Sequence, residues 1–137
     1  MSSSNPLLSG MQPTGPLHIG NYLGALKNWT SLQDEFDCSF FIADLHAMTI
    51  EYDPKDMPVY VNELALTYLA AGLDPEKCNI FIQSHVPEHS ELAWIFNTIV
   101  PIGELERMTQ YKDKSEQHKQ NINAGLFTYP ALMAADI

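Results

Sequence analysis

The densest concentration of chemistry in the chain is the run Gly10-Met11-Gln12-Pro13-Thr14-Gly15-Pro16-Leu17-His18-Ile19-Gly20-Asn21. It is neither a Walker phosphate loop nor a dinucleotide fingerprint. His18 falls where a helical period begins, so free backbone N–H groups and the helix dipole favour an anion beside it. Gly20 has no Cβ and lets a flat ring or a phosphate come close to the backbone. A histidine in such a place is often only a cap, but the combination suits a nucleotide. Asp136 follows the apolar run Met133-Ala134-Ala135, and a carboxylate buried among such neighbours requires a donor. Lys114 stands in a charged run, where a solvated surface role is the ordinary alternative. His85 and His89 flank Glu88, yet Pro87 interrupts the helix that would align them and no cysteine lies nearby. Their order is not that of a zinc protease, so solvated or capping histidines are expected there, and no protein-bound structural metal.

These groups need elements to position them. Residues 7–10 read as a short strand that runs into a turn-rich segment, 11–16, punctuated by Pro13, Gly15 and Pro16. From Ile19 the period changes, and Tyr22, Leu23, Leu26, Trp29 and Leu32 predict a helix with one buried stripe. Residues 38–43 form a continuous apolar run, a strand buried on both faces, followed by a loop over 44–53. Asp53-Pro54 is a helix start signal, Val61, Leu64, Ala65, Tyr68 and Leu69 continue on one face, and Gly72 supplies the stop. Residues 78–83 predict a third buried strand, and residues 88–99 a helix containing Leu92, Ile95, Phe96 and Ile99. Helical character resumes over 104–108. Residues 111–124 are polar and aperiodic, a mobile surface connection, and residues 125–137 are apolar. Strands alternating with helices specify an α/β fold, a doubly wound parallel sheet with right-handed crossovers. Ligands of such sheets sit at the carboxyl ends of the strands, which directs attention to the loops after residues 10, 43 and 83.

With its flanks Gln12-Pro13-Thr14-Gly15 and Asn21-Tyr22, the His18-Ile19-Gly20-Asn21 segment resembles the first signature, the HIGH motif, of class I aminoacyl-tRNA synthetases, with Asn in the last position. Three further segments resemble the tryptophan-specific branch of that class. They are Ile42-Ala43-Asp44-Leu45-His46-Ala47-Met48-Thr49, the stretch from Glu104 through Arg107, Gln110 and Lys114 to Ser115, and the stretch from Gly125 through Tyr129, Met133 and Asp136 to Ile137. The resemblance spans nearly the whole chain.

That resemblance implies the Rossmann-like catalytic fold of the class. It also implies activation of tryptophan by ATP with Mg2+, giving tryptophanyl-adenylate and pyrophosphate before the acyl group moves to tRNA(Trp). Gln12, Pro13, Thr14, His18, Gly20 and Asn21 match positions that hold ATP, and His18 and Lys114 match catalytic ones. Asp136 matches the carboxylate that accepts the indole N–H; Leu8, Gly10, Ala43, His46 and Met133 match pocket walls, and Gln110 and Tyr129 polar positions near the substrate. The family forms homodimers. Its second, lysine-rich signature has no counterpart before Ile137, so residues 1–137 are expected to be the N-terminal part of the ATP- and tryptophan-binding catalytic domain, incomplete at the C-terminus and without the helical anticodon-binding domain. Low activity is expected of this part alone. Three rival readings are a tyrosine-specific synthetase, a nucleotidyltransferase that uses no tRNA, and a truncated module that only binds.

Length and composition agree with a folded chain. The 137 residues are 45% hydrophobic and 18% charged, enough for a core and unlike a disordered segment. A net charge of -10 excludes a general basic sheath for nucleic-acid backbones. Four of the seven basic residues, Arg107, Lys112, Lys114 and Lys119, crowd into one stretch. Cys38 and Cys78 each open an apolar run and read as buried strand residues in a reducing setting. No signal-like or membrane-length apolar segment is visible, which leads to the expectation of a cytoplasmic protein without membrane contact.

Overall fold

A computed structural model describes residues 5–117 and 122–137. The strands are β1 (Pro6–Met11), β2 (Asp37–Ile42) and β3 (Asn79–Ile82). The helices are α1 (Ile19–Asn21), α2 (Lys27–Leu32), α3 (Asp44–Ala47), α4 (Met57–Ala70), α5 (Pro87–Ile99), α6 (Ile102–Arg107), α7 (Thr109–Gln117), α8 (Ala124–Phe127) and α9 (Tyr129–Ala135). By their contacts the residues divide into two compact units, Met1–Asp44 with Asp53–Ile82, and Leu45–Tyr52 with Gln83–Ile137.

In the first unit the strands pair in parallel in the order β1-β2-β3, with Gly10 opposite Phe41 and Phe41 opposite Phe81. Parallel neighbours need long crossovers, and these are helical. On one face of β2, at the two-residue period of a strand, Cys38, Phe40 and Ile42 are buried against Leu26, Trp29, Val61, Leu64 and Tyr68. Trp29 stacks on Phe40 with ring centroids 4.7 Å apart and meets Tyr68 edge-on at 5.5 Å, arrangements that aromatic quadrupoles favour. The Tyr68 hydroxyl donates to the Phe41 carbonyl at 3.1 Å, and burial pushes its pKa far above the ordinary phenol range. Burial likewise raises both cysteine thiols, which are free.

Three details of this unit differ from the sequence reading. Between α1 and α2 the chain winds as a π-helical turn, Tyr22–Leu26. The wider turn rotates the apolar stripe, so Leu26 and Trp29 are buried while Tyr22 and Leu23 are exposed. Helix α4 starts later than Asp53-Pro54 implies, because the Asp53 carboxylate accepts the Lys55 N–H in a local turn at 2.9 Å. Its end follows the sequence signal: Gly72 takes φ +104, its N–H donates to the Leu69 carbonyl, and the Leu73 N–H donates to that of Tyr68, the paired bonds of a Schellman motif. Leu69, expected on the buried face, is exposed.

The second unit is helical. Where a loop was expected after residue 43, Asp44–Ala47 is the short helix α3. Of the mobile connection expected over 111–124, residues 111–117 belong to helix α7 (Thr109–Gln117), where the Tyr111 ring sets edge-on to Phe127 at 5.1 Å, and residues 118–121 lie outside the described residues. Pro87 does not interrupt a helix; it opens α5, where its missing N–H has no intrahelical partner to lose. Helix α5 packs along α9, and the small buried residues Ala93, Ala131 and Ala135 permit the approach. Leu92, Ile95 and Ile99 of α5 lie on its exposed side with Trp94. No helix among the described residues is long and apolar enough to cross a membrane.

A buried amide braces the first unit. Gln33 Nε2 donates to the carbonyls of Thr30 (3.1 Å) and Gly72 (2.9 Å), and its Oε1 accepts the Asp74 N–H at 2.9 Å. Replacing Gln33 with Leu leaves these backbone groups unpaired, and the expected loss is about 2 kcal/mol, read as a lower urea midpoint with an unchanged slope.

Candidate functional site

In the first unit, the turn after β1 carries all six residues expected to hold a nucleotide. Pro13 is buried, Gln12 and Asn21 are half-buried, and Thr14, His18 and Gly20 are exposed. The Thr14 N–H donates to the Gln12 carbonyl at 3.0 Å, and Gly15 takes φ +127, a region that favours glycine. His18, with extended backbone, caps the helix that follows. Its side chain and that of Asn21 are tied reciprocally: the Gly20 N–H donates to His18 Nδ1 and the His18 N–H donates to Asn21 Oδ1, both at 3.1 Å. Because Nδ1 accepts, the proton of the neutral ring sits on Nε2, which remains an exposed donor. A Cβ on Gly20 would lie 2.9 Å from the His18 ring. The bare backbone is therefore what lets the ring occupy this place.

On β1, Leu8 and Gly10 share the face opposite Leu7 and Met11, which pack against the core. A Cβ on Gly10 would fall 2.7 Å from the Phe41 ring, itself stacked on Phe81 at 5.7 Å. Ala43 follows β2 and is buried.

In the second unit, Asp136 caps α9 and is only 8% exposed. Its carboxylate does not point into water. His46 Nε2 lies 2.6 Å from Oδ2, Gln83 Nε2 lies 2.6 Å from Oδ1, and His89 Nδ1 lies 3.0 Å from Oδ1. Gln83 is fully buried, and its Oε1 accepts the His46 backbone N–H at 3.4 Å. Only this amide orientation puts a donor against the carboxylate. His46 Nδ1 is buried without a hydrogen-bond partner among the described residues. With Nε2 donating, that atom is an acceptor in the neutral ring. The Tyr129 ring lies 4.2 Å from the His46 ring, and both Tyr129 and Met133 are half-buried on α9. The side chains of Gln110 and Lys114 lie outside the described residues.

His46, Tyr129, Met133 and Asp136 thus come together within this unit, and sequence reasoning missed two of their neighbours. His89, expected to be solvated or a cap, is 8% exposed and faces Asp136. Its spacing from His85 suggested a metal pair, whereas its partner lies on another helix. Gln83 carried a usable signal, since it directly follows the apolar strand Asn79–Ile82 at a carboxyl end.

Comparisons with known proteins place the chain in a family. The family model described as tRNA synthetases class I (W and Y) matches residues 3–137. Tryptophan–tRNA ligases of Rickettsia conorii and Clostridium tetani are 54% and 55% identical over 131 residues, covering 96% of this chain but 40% and 39% of their own lengths. A crystal structure of tryptophanyl-tRNA synthetase from Campylobacter jejuni matches with a TM-score of 0.88 at 42% identity, over 98% of this chain and 42% of that one. The same enzyme complexed with ADP and tryptophan gives 0.87 at 43% identity, over 96% and 41%. A tyrosyl-tRNA synthetase of Archaeoglobus fulgidus, 19% identical with a TM-score of 0.82, shares the fold alone. The chain belongs to the class I tRNA synthetases of the tryptophan and tyrosine family. It spans about two fifths of the length of the curated relatives it matches.

The close approach at Gly10 gives a direct test of the strand's geometry. A methyl there must displace the Phe41 ring from its stack, so Gly10→Ala is expected to lower stability by about 1–3 kcal/mol, as overpacking does, with the loss measured by chemical denaturation.

Proposed function

We propose that this chain is the ATP-binding and tryptophan-recognising part of a tryptophan–tRNA ligase, both of its units belonging to the catalytic domain. In the proposed reaction a carboxylate oxygen of tryptophan attacks the α-phosphorus of ATP, which enters with Mg2+. The bond to the bridging oxygen breaks, pyrophosphate leaves, and tryptophanyl-adenylate forms; the acyl group then passes to tRNA(Trp). Such an in-line displacement needs position and donors aimed at growing negative charge more than covalent help from the protein. The exposed Nε2 of His18 is a donor of that kind, at a helix start whose Gly20 backbone leaves room for a phosphate. Gln12, Pro13, Thr14 and Asn21 complete the ATP side, and Lys114 is assigned to the triphosphate.

The observation that carries the tryptophan assignment is the burial of Asp136. An indole offers a protein one N–H donor and a large apolar face, and a buried carboxylate is the acceptor that reads that donor. An amino acid without it leaves the carboxylate short of a partner, which is costly. Met133, Tyr129 and His46 are assigned to the ring's surroundings with Leu8, Gly10 and Gln110. The reading is further supported by the names of the relatives, all tryptophan–tRNA ligases at 53–55% identity. Pairing into a homodimer belongs to the same proposal and is supported by the apolar side chains of Trp94, Ile95, Ile99 and Ile102, each more than half exposed. A translation enzyme of this kind works in the cytoplasm.

Tryptophan binding followed by fluorescence tests the assignment; displacement by tyrosine at equal concentration would sink it. Asp136→Ala in the full-length protein is expected to raise the KM for tryptophan roughly 10- to 100-fold, the worth of one hydrogen bond to a charged group, with the KM for ATP little changed in tryptophan-dependent pyrophosphate exchange. His18→Ala is expected to slow exchange roughly 100-fold at constant tryptophan affinity, and an unchanged rate would make His18 only a cap.

A further inference from the structure

We infer that Gln83 and His89 are positioning residues for substrate selection: with His46 they hold the Asp136 carboxylate in place for a donor on the amino acid. This rests on the reading of Asp136 as the indole acceptor. Gln83 Nε2 lies 2.6 Å from Oδ1 and His46 Nε2 lies 2.6 Å from Oδ2, while His89 Nδ1 stands 3.0 Å from Oδ1 without a hydrogen bond between them. The carboxylate's roughly four acceptor directions are thus only partly taken. Aspartate swings about two side-chain bonds, and Asp136 is the C-cap of a seven-residue helix. Its direction is imposed largely from outside its own element.

Each neighbour is itself fixed. Gln83 is fully buried, and its Oε1 is engaged by the His46 backbone N–H, so its amide cannot turn over without losing a bond at both ends. His89 lies in the first turn of α5 behind Pro87, whose ring sets the local backbone. The four residues come from α3, the turn after β3, α5 and the end of α9. A site built for selection needs such support, because a first contact left loose by even an ångström discriminates poorly.

The test uses the full-length protein and two amino acids, tryptophan and 3-benzothienylalanine, in which sulfur replaces the indole N–H. The preference for tryptophan is read as the ratio of kcat/KM in amino-acid-dependent pyrophosphate exchange. Gln83→Met keeps the length of the side chain without its donor, and His89→Leu removes the ring nitrogens. Both are expected to cut the preference about tenfold through the KM for tryptophan, with the KM for ATP unchanged. His89→Asn, whose amide nitrogen can stand near the Nδ1 position, should restore most of it. An unchanged preference in both variants, or equal losses with the two amino acids, overturns the positioning role. Asp136→Ala is run beside them: if it retains the preference, the indole-acceptor reading falls and this inference with it. If it loses the preference while the other variants keep theirs, only this inference falls. Thermal unfolding checks each variant, and should Gln83→Met fail to fold, the contrast between His89→Leu and His89→Asn decides.

Discussion

A carboxylate withdrawn from water must be met by donors, and Asp136 is bonded by two, with a third nitrogen 3.0 Å away. That requirement organises the second unit. His46 is delivered by α3, Gln83 by the turn after β3 and His89 by the first turn of α5. The close packing of α5 on α9, where Ala93, Ala131 and Ala135 are buried, holds the element of His89 near that of Asp136. Loss of any one donor would expose the remaining charge to an apolar surrounding, where an unpaired charge is costly. A second tie secures the same region: Asn123 caps α8 through its Oδ1 and donates its Nδ2 to the Thr49 carbonyl at 3.0 Å, while the Thr49 hydroxyl donates to the His46 carbonyl at 2.8 Å. The backbone of His46 is thus tied at its carbonyl.

The first unit solves a different problem, that of presenting an exposed turn with defined geometry. Within the turn Pro13 is buried while Thr14, His18 and Gly20 are exposed, and its two ends are held as well. At one end β1 pairs along its whole length with β2. At the other, Leu26 and Trp29 anchor the helix beyond the π-turn against Phe40 and Tyr68. Between them the reciprocal bonds of His18 and Asn21 fix the helix start locally. A cap of this kind satisfies backbone N–H groups that would otherwise need water.

How far the sequence disclosed this depends on where each signal lies. The apolar runs of β2 and β3 and the glycine stop of α4 are local, and each is read within a few residues. Helix α7 escaped because its residues are polar and aperiodic, so its contacts, among them that of Tyr111 with Phe127, leave no periodic trace. The π-turn escaped because a change of helical pitch has no marker in residue type. The His18 turn was legible as a composition, but its reciprocal hydrogen bonds were not. His89 misled for a clear reason. With no metal motif around it, it reads as a solvated or capping histidine, while its counterpart Asp136 stands on another helix that only folding brings beside it. Asp136 was recognisable from its apolar neighbours, since burial without a donor is too costly to persist.

The two histidines of the candidate site are used with opposite polarity. In each, the protein claims one ring nitrogen and leaves the other. The backbone of Gly20 takes Nδ1 of His18 as an acceptor, which leaves Nε2 as an exposed donor. Asp136 takes Nε2 of His46 as a donor, which leaves Nδ1 as a buried acceptor. A hydrogen bond at one nitrogen sets the tautomer at the other, so neither choice depends on the ligand. An exposed donor at a helix start favours an anion that arrives hydrated and leaves again, as a nucleotide must. A buried acceptor beside a carboxylate favours an uncharged donor carried on an apolar body. The same side chain, oriented by different neighbours, thereby suits the two chemically unlike halves of the proposed reaction.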